Sequence, residues 1–188
     1  MGGASFYYYG YEYPIKLQEL NQDNLLTHLD ALEFLVIDTY DTSVLSEDVV
    51  DAIEKWNTSG GVLVIGTGEY AEKTLSLFED SYLDVTTNMI YEPKQAPSYD
   101  ALDYVDWSKL HIAEFWSSSE YYESYPFKML LRSYGTGAIG ILPFSLKEVV
   151  DMDYTFYKST DSQGFLLHMF DVIASESERR YRTNNTYY

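Results

Sequence analysis

The sequence predicts an α/β fold, a mostly parallel central sheet flanked by helices, and three observations lead there. Phe34-Leu35-Val36-Ile37 and Val62-Leu63-Val64-Ile65 are continuous apolar runs rather than alternating ones, the pattern of strands covered on both faces. Between them Val49, Val50, Ile53 and Trp56 recur at helical spacing and mark one apolar face. Gly60-Gly61 then closes the helix, because glycine enters the left-handed conformation without steric cost. The stretch from Leu32 to Gly68 is therefore a strand–helix–strand unit, with parallel strands and a right-handed crossover.

Within that unit, Asp38 to Ser43 form a polar loop at the carboxyl end of the first strand. Ser46 is placed to cap the helix, and Glu47 and Asp48 follow in the first turn, where the helix dipole favours negative charge. Upstream, aromatic residues 5–13 read as an edge strand and residues 14–20 alternate as a second strand. A short helix is expected over 21–32, capped by Asp23, with Leu25, Leu26 and Leu29 on one side.

Downstream of Ile65, Gly66-Thr67-Gly68 leads into a helix expected over 70–78, with Leu75 and Phe78 inward. Residues 82–91 alternate as an antiparallel strand at the sheet edge, and 109–116 as another strand. Between them, Asp100, Asp103 and Asp106 fit one solvated helical face; they lack the glycine and closing glutamate of a calcium loop. Residues 117–125 form a polar, aromatic insertion expected to be exposed. Residues 127–134 and 138–144 read as an antiparallel hairpin around Gly135-Thr136-Gly137, whose glycines suit positive φ, and Pro143 ends its second strand. Residues 148–161 read as irregular. Phe165, Leu166, Met169, Phe170 and Ile173 then recur at helical spacing over 162–175. The expected organisation is one domain over residues 1–176 and a polar tail or linker over 177–188.

The pattern LVID-x-x-DTS-x-LS, a helix, then W-x-x-x-GGVLVIGTG resembles the non-catalytic branch of the class I glutamine amidotransferase-like domains, as found in large surface-anchored proteins of Gram-positive bacteria. The run from Tyr134 to Leu142 is similar to that family's late glycine-flanked strand. The resemblance implies a flavodoxin-like three-layer sandwich and a place at the bacterial cell surface or outside the cell. It implies neighbouring domains of a parent protein, or an extracellular partner, as binding partners. It also implies a first strand and helix ahead of Leu32. Either that pair is missing or the aromatic N-terminus stands in its place.

Composition narrows the function. Thirty acidic against 12 basic residues give a formal net charge of −18, which argues against nucleic acid or an anionic membrane surface as a partner. No run approaches the ~18 apolar residues of a membrane span, so no direct membrane insertion is expected in this segment. With no cysteine, the nucleophile of the enzymatic amidotransferases is missing, as are disulfides and thiolate metal sites. Twenty tyrosines are either core-edge packing or an aromatic exterior suited to carbohydrate or protein ligands.

No catalytic residue, metal ligand or cofactor is assigned from the sequence. His28, His111 and His168 are too far apart for zinc-type spacing, and no serine sits in a nucleophile elbow. Candidate ligand-binding residues are Asp38 and Asp41 at a central strand's carboxyl end, where open α/β sheets bind ligands. Thr67 and Glu69 share that edge, and Tyr121 and Tyr122 lie in the polar insertion. Asp38 and Asp41 either form a carboxylate pair of glycosidase type or cap loop amides. The leading expectation is a non-enzymatic scaffold or interaction domain. The alternatives are a carbohydrate- or protein-binding module using tyrosines, or a hydrolase using strand-end carboxylates.

Overall fold

The computed structural model describes residues 3–8, 11–15, 27–76, 83–93, 108, 110–117, 121–124, 129–152 and 169–177. Expectations over 93–106, and over most of 14–26 and 153–168, lie largely outside them.

The expected strand–helix–strand unit is present: β3 (Phe34–Asp38), α1 (Glu47–Thr58) and β4 (Val62–Gly66), with β3 and β4 parallel. The rest of the described strands are β1 (Gly3–Tyr8), β2 (Tyr11–Ile15), β5 (Val85–Tyr91), β6 (Ile112–Ser117), β7 (Tyr122–Ser124), β8 (Met129–Tyr134) and β9 (Gly137–Leu142). Two further helices are α2 (Ala71–Leu75) and α3 (Leu146–Met152), and residues 27–29 and 169–175 are also helical.

The molecule is mixed α/β, with a seven-stranded sheet in the order β2-β1-β3-β4-β9-β8-β7. Its centre is parallel, since β4 pairs in parallel with both β3 and β9. Both flanks are antiparallel. On the N-terminal side this differs from expectation. The aromatic segment makes two strands rather than one, and β1 runs antiparallel beside β3, with Gly3 opposite Asp38.

Alternation along the strands divides the core. Leu35, Ile37, Leu63, Ile65, Ile139 and Ile141 join Val49, Ile53 and Trp56 of α1 in one apolar cluster. Val36, Val62, Val64, Ala138 and Leu142 join Leu146, Val149, Met169 and Ile173 in the other. Every residue of β4 and β9 is buried. No helix among the described residues is long and apolar enough to cross a membrane.

Several local expectations are corrected. Strand β5 does not join the edge of the main sheet; it pairs with β6 in a separate two-stranded antiparallel sheet. Part of the stretch expected to be irregular is α3, whose first amides find their acceptor in Asp38, far away in sequence. Ser46 occupies the N-cap position of α1 without a side-chain capping bond. That end is exposed, so water can serve the free amides. The expected insertion over 117–125 contains β7, the edge strand of the main sheet.

The hairpin glycines do different work from each other. Gly135 has φ of +60° and needs to be glycine for that reason. Gly137 has no positive φ. A Cβ there would lie 1.9 Å from the Asn57 carbonyl oxygen, so what it needs is the absence of a side chain.

Candidate functional site

The parallel strands β3, β4 and β9 end at the same edge of the sheet, and the chain leaves β3 and β4 through polar residues. Asp38 is the last residue of β3. Its carboxylate accepts the amide N–H of Leu146 at 3.0 Å, that of Lys147 at 2.9 Å and the Ser145 hydroxyl at 3.0 Å. It therefore caps α3. Burial raises its pKa above the ordinary carboxylate value, against the lowering effect of these three donors, and nearby Glu148 adds to the rise. Gly66 is the condition for this arrangement, because a Cβ there would stand 1.9 Å from Asp38 Oδ1. The next residue, Thr39, has φ of 50°, a conformation costing a β-branched residue on the order of 1–3 kcal/mol.

Asp41 lies apart from Asp38 in function. It caps the short 3₁₀ turn Thr42–Val44, accepting from the Ser43 amide and hydroxyl. Those bonds, the Ser43 hydroxyl first, hold its carboxyl below the usual range. Thr67 is fully buried. Its hydroxyl donates to the Leu142 carbonyl at 2.6 Å, and its amide donates to Phe144 O at 3.0 Å. Such a hydroxyl has no adjacent base and no path to a substrate.

Tyr121 and Tyr122 belong to the β7 flank instead. Tyr121 is half-buried against the α1 face of the core, with the Arg132 guanidinium 5.5 Å from its ring centroid. The same guanidinium lies 4.9 Å from the ring of Tyr134, whose hydroxyl donates to Glu54 at 2.6 Å. Burial pushes both phenols up to about 12, so they stay neutral at physiological pH. Tyr122 pairs its backbone with Leu131. The structure does not bring these tyrosines to the edge occupied by Asp38 and Thr67. A shallow groove of about 330 Å³ runs along α1, lined by Asp51, Glu54, Lys55, Thr58 and Ser59, and contains none of the predicted residues.

Of those predicted residues, Glu69 is the one grouped with a histidine and a second carboxylate among the described residues. It sits in the 3₁₀ turn Gly68–Tyr70 that follows β4. Near it are His111, just before β6, and Glu148, in the first turn of α3. One donor atom from each of Glu69, His111 and Glu148 lies within 4.8 Å of the other two. Glu148 grips His111 twice: Oε1 lies 2.8 Å from Nδ1, and Oε2 accepts the backbone N–H at 3.3 Å. Glu92, immediately after β5, places Oε1 3.5 Å from Nε2.

Gly68 makes the approach possible. Its φ is +62°, and a Cβ there would be 3.0 Å from Glu148 Oε2 and 3.1 Å from the His111 carbonyl. The hydrogen bond from Glu148 raises the His111 pKa, and the charges of Glu148, Glu69 and Glu92 act in the same direction. His111 and Glu148 had no special signal in the sequence. They come from elements that the chain order separates, so spacing could not pair them.

No protein-family model matches the chain, and no curated protein matches it.

Proposed function

We propose that this domain is a non-enzymatic α/β scaffold, an interaction domain of a larger bacterial cell-surface protein. The observation that carries this reading is the commitment of the polar groups at the strand ends. The Thr67 hydroxyl is closed onto Leu142 O, and the Asp38 carboxylate is occupied by Leu146, Lys147 and Ser145. The cell-surface setting and the amidotransferase-like, three-layer architecture rest on the sequence resemblance; apolar clusters containing alternate residues of the central strands support the layering. The test is a turnover panel of glutamine, ester and glycoside substrates with the purified chain. No turnover above background is expected. Turnover that disappears in Asp38→Asn would instead make the strand-end carboxylates catalytic.

A second reading, a carbohydrate- or protein-binding module, is favoured by exposed apolar side chains on the β5–β6 hairpin. Trp116 is 63% exposed and Met89 47% exposed, whereas Tyr121 is half-buried beside Arg132. In a thermal-unfolding screen against a glycan panel, a ligand at ~100-fold its Kd adds about 2.7 kcal/mol of stability. For a chain of this size that raises Tm by roughly 5–10 °C. A rise that Trp116→Ala removes supports the module. A rise that it leaves intact moves the binding surface elsewhere, and no rise with any glycan counts against carbohydrate binding.

A further inference from the structure

We propose that Glu69, His111 and Glu148 form a binding site for a divalent transition-metal cation, with Zn²⁺ as the representative ion. The site goes beyond the scaffold reading and stands or falls separately from it.

Three features carry the assignment. First, the donor set is mixed: one imidazole and two carboxylates, each offering an atom within 4.8 Å of the others. Metal–nitrogen and metal–oxygen bonds to Zn²⁺ are ~2.0–2.2 Å long, so ligand atoms of one ion stand at most about 4.4 Å apart. Only small side-chain rotations separate the observed arrangement from that. A nitrogen ligand favours zinc and its transition-metal neighbours, while calcium and magnesium prefer all-oxygen sites.

Second, the donors are held from different parts of the chain. Glu69 comes from the turn after β4, His111 from the segment entering β6, and Glu148 from α3. The double contact of Glu148 with His111 fixes the ring, and Gly68 leaves room for both. A site assembled in this way does not have to be ordered by the ion.

Third, the local charge is unbalanced. Glu69 and Glu148 converge on His111 and Glu92 lies 3.5 Å from its Nε2, so three carboxyl groups face one imidazole. A divalent cation at Nδ1 offsets two of their negative charges, with Glu92 on the opposite, Nε2 side of the ring. A ligating imidazole must be deprotonated, so affinity rises with pH.

The experiment is calorimetric titration of the full chain with Zn²⁺ at pH 7.5 and pH 6.0, repeated with Ca²⁺. It is then repeated on His111→Gln and on Glu69→Gln; Glu69 is exposed, so that variant leaves the core untouched. The expected result is one equivalent of Zn²⁺, bound at least tenfold more weakly by either variant. Binding should also weaken severalfold at pH 6.0, with proton release visible as a buffer-dependent heat, and millimolar Ca²⁺ should not displace the ion. Zn²⁺ uptake without fixed stoichiometry, or unchanged in Glu69→Gln, would mean an adventitious ion only and would overturn the site. Equal affinity for Ca²⁺ and Zn²⁺ would overturn it too, because the imidazole would then play no part.

Discussion

Replacing Gly137 with alanine should lower the stability of this domain by about 3 kcal/mol or more. The new Cβ would lie 1.9 Å from the Asn57 carbonyl oxygen and 2.4 Å from that of Gly61. Both are backbone atoms, so no side chain can rotate away. The clash falls on the joint between α1 and the sheet. Asn57, fully buried, donates from Nδ2 to Gly61 O at 2.7 Å and to Ala138 O at 2.8 Å. Moving β9 outward would stretch those bonds, each worth about 1 kcal/mol net. The measurement is a urea or thermal unfolding curve. At ~2–4 °C per kcal/mol for a chain of this length, Tm should fall by roughly 6–12 °C. An unchanged Tm would show that β9 does not approach α1 this closely.

Asp38→Ala should cost about 2–3 kcal/mol. It removes the acceptor of three donors at the start of α3. Loss of a helix cap costs about 0.5–2 kcal/mol, and stranded buried donors add to it. The cost is moderated by the carboxylate's own burial, which raises its pKa. The sign of the pH dependence follows. With the folded-state value above the unfolded 3.8, the proton-linked contribution is fully present below that unfolded value and is lost as pH rises through the folded one. Asp38→Asn should therefore lack this loss, so that the stability of the wild type relative to Asp38→Asn falls as pH rises above 3.8, while the variant destabilises less than alanine at neutral pH. Denaturation midpoints between pH 3 and 7 decide the matter: identical profiles for wild type and Asp38→Asn would rule out a raised Asp38 pKa.

Much of the centre was legible in the sequence because its signals are local. Two uninterrupted apolar runs, a helical period between them and Gly60-Gly61 define β3, α1 and β4 without reference to anything distant. Strand β9 was legible for the same reason. What escaped is non-local. Helix α3 starts where Asp38 supplies its cap from 108 residues away, so residues 148–161 offered only an unremarkable run. The antiparallel pairing of β1 with β3 depends on a neighbour that aromatic composition does not specify. Of the candidate residues, Glu69 is marked by its place after a strand. The pairing of His111 with Glu148 is not legible, because 37 residues separate them and their meeting depends on where the β5–β6 hairpin lies relative to α3.

The strand order also bears on synthesis. Strand β4 is wholly apolar and lies between β3 and β9, yet the bond from Thr67 to Leu142 that lies at this seam spans 75 residues. Until the ribosome has released β9, one side of β4 is a bare apolar edge, the kind that templates pairing with other chains. A nascent chain of this protein carries that edge through the whole excursion containing β5 and β6, and covers it only when the hairpin of β8 and β9 arrives.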